Sequence, residues 1–257
     1  MTFCIIGTGN MAWFLGKRLM SGGHQSTGVF GRNPEAVREL ADALLSAVCG
    51  KVTDVRDGEA DICLMAVSDI AIGKVAMQLS LRQTVLVHTA GSVLIDQITT
   101  AAKDCAVLWP VYSIQKSNLP AHRNIPCAWE ANTPKASRFV QSIGHGLTDV
   151  LFEAQGEQRK WLHVAAVFGN NFINHLMVVC EKICLENDLP FSLISPVIEQ
   201  TFERAKSHSP QTLQTGPAVR RDTTTIQDHL AMLSEHRKWQ QIYESVTESI
   251  QANRSPK

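Results

Sequence analysis

Gly7-Thr8-Gly9-Asn10-Met11-Ala12 fits the pattern G-x-G-x-x-G/A, and it stands between a strand-like run, Phe3 to Ile6, and a run with helical spacing. The chemistry such a turn can do is hold a pyrophosphate. Gly7 permits the tight turn, Gly9 lets the phosphates approach the backbone, Ala12 allows close helix–strand packing, and the helix start offers unpaired N–H groups. Thr8, Asn10 and Met11 are expected to complete the cofactor contact. The alternative is a glycine turn that binds nothing. About twenty positions on, a carboxylate would select the 2′-hydroxyl of NAD, but the chain reads Gly31-Arg32-Asn33. A guanidinium suits a 2′-phosphate, so NADP is the expected cofactor and Arg32 its reader, against the plainer reading of a solvated turn arginine. A P-loop is excluded, because Gly16-Lys17 is followed by Arg18 and preceded five residues earlier by Met11.

Three further segments should converge at the carboxyl ends of parallel strands: Val67-Ser68-Asp69, His88 to Ser92, and Trp109-Pro110-Val111-Tyr112-Ser113. Val67, Ser68, His88 and Ser92 are therefore expected around the cofactor. The serines could instead cap helices and His88 could be a core histidine. Farther on, His163, Asn170 and Asn174 are spaced seven and four apart, one face of a straight helix at 100° per residue. Their types suit substrate orientation by the amides and proton donation by His163, or a hydrogen-bonded helix contact. Asn171 and His175 fall on the neighbouring strip. Arg220 and Arg221, behind the Gly216-Pro217 turn, could hold an anionic substrate, or at least one of them could pair with Asp222 at a helix start. Cys180, Cys184 and His175 have metal-like spacing, but their apolar neighbours point to buried thiols and no metal is expected.

The elements that must position these residues alternate. Strands are expected at Phe3 to Ile6, 26–30, weakly at 51–53, 61–67, 84–88, 106–109, 126–129 and 149–152, with helices at the first glycine turn, 35–45, 70–81, 93–102 and 134–143. This pattern implies an α/β fold with a doubly wound parallel Rossmann sheet. From Gln155 onward only helical periodicity appears: 157–187, 192–206, then two helices within 224–251, with a polar loop at 211–222. The expected domains are 1–153, binding NADP, and a smaller all-α domain, 154–257, for substrate and dimerisation.

With 257 residues, 24 basic and 24 acidic side chains and 19% charged residues, the chain is globular and has no global field for nucleic acid or an anionic membrane. Apolar runs are interrupted before the length of a bilayer crossing. Seven cysteines without a C-x-x-C pair, and no basic segment before the first apolar run, point to the cytoplasm.

Gly7 to Ala12, Ala66-Val67-Ser68-Asp69, His88 to Ser92, Leu162 to Phe172 and Gln214 to Ala218 resemble a bacterial family joining a Rossmann-like domain to a helical domain of unknown function. More distantly the chain is similar to pyrroline-5-carboxylate reductase, deazaflavin-linked NADP reductases, ketopantoate reductase and the 6-phosphogluconate dehydrogenase superfamily. The resemblance implies NADP binding, a homodimer through the helical domain and an active site between domains; the expected activity is NADPH-dependent reduction of a small, anionic carbonyl or imine compound. A catalytically silent NADP-binding sensor is the alternative. Ketopantoate reductases carry Lys, Asn and Asn at four-residue steps on the first interdomain helix. Asn170 and Asn174 match, but the lysine position holds Ala166, which leaves His163, one turn earlier, as the candidate acid.

Overall fold

Strand β1, Thr2–Ile6, buries Phe3 and Ile5 on one face and Cys4 and Ile6 on the other, the two-residue period of a strand covered on both sides. In the computed structural model, which describes residues 1–253, this strand is central to an eight-stranded sheet. The others are β2 (Gln25–Phe30), β3 (Val48–Gly50), β4 (Ile62–Met65), β5 (Val85–His88), β6 (Cys105–Pro110), β7 (Cys127–Ala131) and β8 (Leu151–Glu153), in the order β3-β2-β1-β4-β5-β6-β7-β8.

All pairings are parallel except β6 with β7. The segment joining those two strands forms no crossover helix, and the chain turns back beside β6 instead of crossing a face of the sheet. The fold is α/β: a doubly wound, predominantly parallel Rossmann-like sheet followed by helices. Helices α1 (Asn10–Ser21), α2 (Pro34–Ala43) and, later in the chain, α4 (Pro134–Leu147) cover one face. The short α3 (Ile72–Ala76) and a 3-10 turn, Ile95–Ile98, cover the other. Sequence punctuation sets several boundaries. Asn33 caps α2 by accepting from the Glu35 and Ala36 N–H groups (3.0 and 3.2 Å) ahead of Pro34, and Thr133 caps α4 in the same way.

Some expected elements differ. The weak strand at 51–53 is a 3-10 turn, with β3 just before it. The helix expected at 93–102 shrinks to the Ile95–Ile98 turn, since Ile95, Ile98, Thr99 and Thr100 are β-branched. The helix expected at 70–81 reduces to α3 and a preceding 3-10 turn.

After β8 the chain is helical: α5 (Gly156–Ala166), a π-helical segment at Val167–Phe172, α6 (Ile173–Glu186), α7 (Ser195–Ala205), α8 (Pro210–Leu213), α9 (Pro217–Arg220), α10 (Thr223–Met232) and α11 (Arg237–Ala252). The loop expected at 211–222 thus contains two short helices. The chain divides into two compact units, Met1–Asn171 and Phe172 onward. The sheet ends at Glu153, yet α5 stays with the first unit because its Arg159 is fully buried among sheet and loop atoms. The continuous helix 156–186 is long and apolar enough, by length and composition alone, to cross a bilayer. The sequence expectation of no such stretch counted uninterrupted apolar runs and did not weigh a helix whose polar residues are spaced along it.

Candidate functional site

Gly7 has φ +114°, and a Cβ there would lie 2.3 Å from the Ala66 carbonyl oxygen, so only glycine lets β1 hand over to α1 at this point. Its N–H donates to the Phe30 carbonyl (2.9 Å), which locks the turn to β2. Gly9 is the N-cap of α1 with no side-chain cap, and a Cβ built on it meets nothing within 4 Å. The space a side chain would fill is therefore open, beside helix N–H groups that lack an internal acceptor.

A cavity of about 540 Å³ opens there. Gly7, Thr8 and Gly9 form its floor, Gly31 and Arg32 one wall, and Val67 and Ser68 the other. Arg32 is exposed and makes no ion pair or hydrogen bond among the described residues. Open glycine, orphaned N–H groups and an unengaged guanidinium fit a phosphorylated dinucleotide. Met11 and Ala12 pack into the core. Asn10 turns away from the cavity, its Oδ1 accepting the Lys116 N–H (2.9 Å).

His88 and Ser92 are placed differently from the sequence expectation. His88 is fully buried, and the Ala90 N–H donates to its Nδ1 (3.3 Å), so it organises the loop after β5 from within. Burial, followed by the nearby Arg159 charge, pushes the imidazole down to about 3 and keeps it neutral. It does not line the dinucleotide cavity. The Ser92 hydroxyl donates to Asp69 and lines a separate cavity of about 700 Å³ with Lys74 and Lys160.

A third cavity, about 710 Å³, lies in the first unit past the end of β6. Trp109, Val111, Tyr112 and Ser113 supply one side; His163, Ala166, Asn170 and Asn171 supply the other. The Trp109 and His163 rings are 5.7 Å apart at 52°. His163 and Asn170 thus share a wall, as their spacing predicts, and Asn171 joins them unexpectedly. The π segment explains this, because its wider turn changes the angle between successive side chains. Asn174 is exposed on α6, in the second unit. No composition signal marks a π turn.

Arg159, which the sequence reading passed over, donates to Glu130, to the Val93 carbonyl (2.8 Å) and to the Ala154 carbonyl (3.2 Å), four residues before His163. It anchors the helix that presents His163. In the second unit, Arg220 and Arg221 are exposed and Arg221 is left-handed (φ +55°). Among the described residues no ion pair with Asp222 forms; instead the Asp222 carboxylate caps α10, accepting from Thr225, which holds its carboxyl below the usual range.

These two features of one unit, a dinucleotide cradle and a cavity lined by a histidine and two asparagines, are those of a dinucleotide-dependent oxidoreductase fold. Residues 2–92 match the family described as NADP oxidoreductase, coenzyme F420-dependent, and residues 125–250 match a domain of unknown function, DUF2520. A solved structure from Bacteroides fragilis, described as a putative NADP oxidoreductase, is 30% identical over 98% of both chains (TM-score 0.89). The chain belongs to this family of Rossmann domains joined to a DUF2520 domain. The fold is shared at lower identity by pyrroline-5-carboxylate reductase of Streptococcus pyogenes (15%, 98% of both chains, TM-score 0.65). An imine reductase of Myxococcus stipitatus shares it too (16%, 98% and 92%, TM-score 0.61). A comparison with curated proteins found no match.

Proposed function

We propose that the protein is an NADPH-dependent reductase acting on a small carbonyl or imine compound in the cavity beside His163. The observation that carries this reading is the pairing, within one unit, of the Gly7–Gly9 cradle with a cavity holding His163 and Asn170. Gly7, Gly9 and the α1 N-terminus would hold the diphosphate, Arg32 the 2′-phosphate, and Val67 and Ser68 the flank nearer the substrate. Bound there, NADPH supplies the hydride. The chain itself orients and protonates: Asn170 and Asn171 offer amide donors and acceptors, His163 carries the proton, and Trp109, Val111 and Val167 exclude water. The family description also names coenzyme F420, but Arg32 at the cavity wall favours a nicotinamide dinucleotide phosphate.

Fluorescence titration with NADPH and NADH tests the cofactor. NADPH should bind more tightly, and Arg32→Ala should erase most of that preference, on the order of tenfold for one lost charge-assisted contact. Equal affinity for both nucleotides in the wild type would refute Arg32 as reader. His163→Ala should abolish turnover and leave NADPH binding intact; unchanged turnover removes His163 from the chemistry. A silent NADP-binding sensor is the second reading, favoured by Ala166 on the cavity wall at the position where ketopantoate reductases carry a lysine. It predicts nucleotide binding without oxidation of NADPH by any carbonyl or imine tried.

The protein works, on this reading, as a homodimer through its helical unit and in the cytoplasm, in keeping with seven unpaired cysteines. Asn174, Arg220 and Arg221 remain candidates for substrate contact, although the cavity's own lining adds no cation to receive an anionic group.

A further inference from the structure

We infer that the cavity beside His163 selects a substrate whose reacting end carries no carboxylate: an uncharged or protonated imine, or a carbonyl compound, with a flat apolar body. The inference rests on the reductase reading and narrows its substrate class. Two aromatic rings, Trp109 and Tyr112, line the space together with the polar groups of Ser113, Asn170, Asn171 and His163, and among the described residues no lysine or arginine lines it.

Several cations of the first unit are already engaged. Lys116 pairs with Glu39 (2.7 Å) and sits 4.3 Å from the centre of the Trp13 ring. Arg159 is sealed against Glu130, Lys160 pairs with Glu157 (2.8 Å), and Arg18 donates to the Pro120 carbonyl (2.8 Å). A carboxylate entering this cavity would lose its hydration and find neutral amides and a hydroxyl in place of a fixed positive charge. A protonated imine, by contrast, is attracted to the face of an indole or phenol ring, and the neutral amides satisfy its N–H.

The test uses two ligands that differ by one carboxylate, 3,4-dihydroisoquinoline and 3,4-dihydroisoquinoline-3-carboxylate. Each is titrated calorimetrically into the full-length protein, with and without NADP, and turnover is followed separately. The carboxylate-free imine should bind at least about tenfold more tightly, a difference of ~1.4 kcal/mol. Ser113→Lys, which places a cation on the wall, should narrow or invert that preference. Equal binding, tighter binding of the carboxylate, or binding of neither overturns the inference. If the carboxylate is preferred and Arg220→Ala/Arg221→Ala removes the preference, the anion is read by the second unit instead. Because ligand binding is measured apart from NADPH binding and oxidation, a protein that discriminates the pair but does not bind NADPH would refute the reductase reading and leave this selectivity standing.

Discussion

Gly7 and Gly9 stand two residues apart, yet substitution should separate folding from binding. At Gly7 an alanine meets both a left-handed φ and the Ala66 carbonyl at 2.3 Å, so Gly7→Ala should lower stability by roughly 1–3 kcal/mol in chemical denaturation. At Gly9 a side chain has room in the free protein, so Gly9→Val should keep the wild-type denaturation midpoint and lose NADPH affinity, because it fills the diphosphate's place. Loss of stability at Gly9 without loss of binding would contradict the cradle. His88 gives a pH prediction of definite sign. Its folded-state value, about 3, lies below the ordinary histidine value, so neutral His88 favours folding above pH ~6.5 and that contribution fades as pH falls toward 3. The denaturation free energy should fall at up to ~1.4 kcal/mol per pH unit through this window on account of His88. His88→Asn, which keeps an acceptor for the Ala90 N–H, should flatten that part of the profile; an unchanged slope would show that His88 charges freely in the folded protein.

At the scale of elements, the helix bearing His163 depends on a buried ion pair and on a π turn. Arg159→Met leaves the Glu130 carboxylate without its partner and should cost about 3–5 kcal/mol in urea denaturation, whereas Arg159→Met/Glu130→Leu should recover most of that loss. No recovery in the double variant would mean that the arginine's carbonyl contacts to Val93 and Ala154, and not the ion pair, hold the helix. What was legible in the sequence follows from what has a local cause. The strands β1, β4 and β5 announce themselves as apolar runs, Asn33-Pro34 and Thr133-Pro134 mark helix starts, and Gly7 to Ala12 mark the phosphate turn. The reversal of β7 was not legible, because strand direction depends on how the 111–126 connection packs. Nor was the place of Asn171, since Val167-Phe168-Gly169-Asn170-Asn171-Phe172 encodes an ordinary weak helix and the extra residue per turn has no periodicity of its own. His88 shows the same limit: a histidine at a strand's carboxyl end reads as a site residue, and only its burial assigns it to the loop's interior.

The whole molecule is uneven in how it keeps apolar surface from water. The first unit has a core on both faces of its sheet, whereas among the described residues of the second the buried apolar side chains are Cys184, Ala218 and Ile226. Leu185, Leu193, Val197 and Met232 are 58–78% exposed there. A helical unit of that size that leaves so many large apolar side chains in water is poorly stabilised by itself, and a second copy offering the same surface can bury them by a two-fold contact of ordinary size, ~1,200–2,000 Å². Light scattering after gel filtration should therefore give twice the chain mass of 28.3 kDa. Dimerisation ties stability to concentration: over a hundredfold range mass action contributes ~2.7 kcal/mol, enough to move Tm by roughly 5–10 °C for a chain of this size. Leu185→Glu, at a side chain 74% exposed, should leave the folded first unit and its NADPH binding in place while lowering the mass toward a monomer and removing the concentration dependence. A wild-type chain that runs as a monomer with a concentration-independent Tm would leave the apolar helices to a different partner, and the length of the 156–186 helix makes lipid vesicles the next binding partner to try.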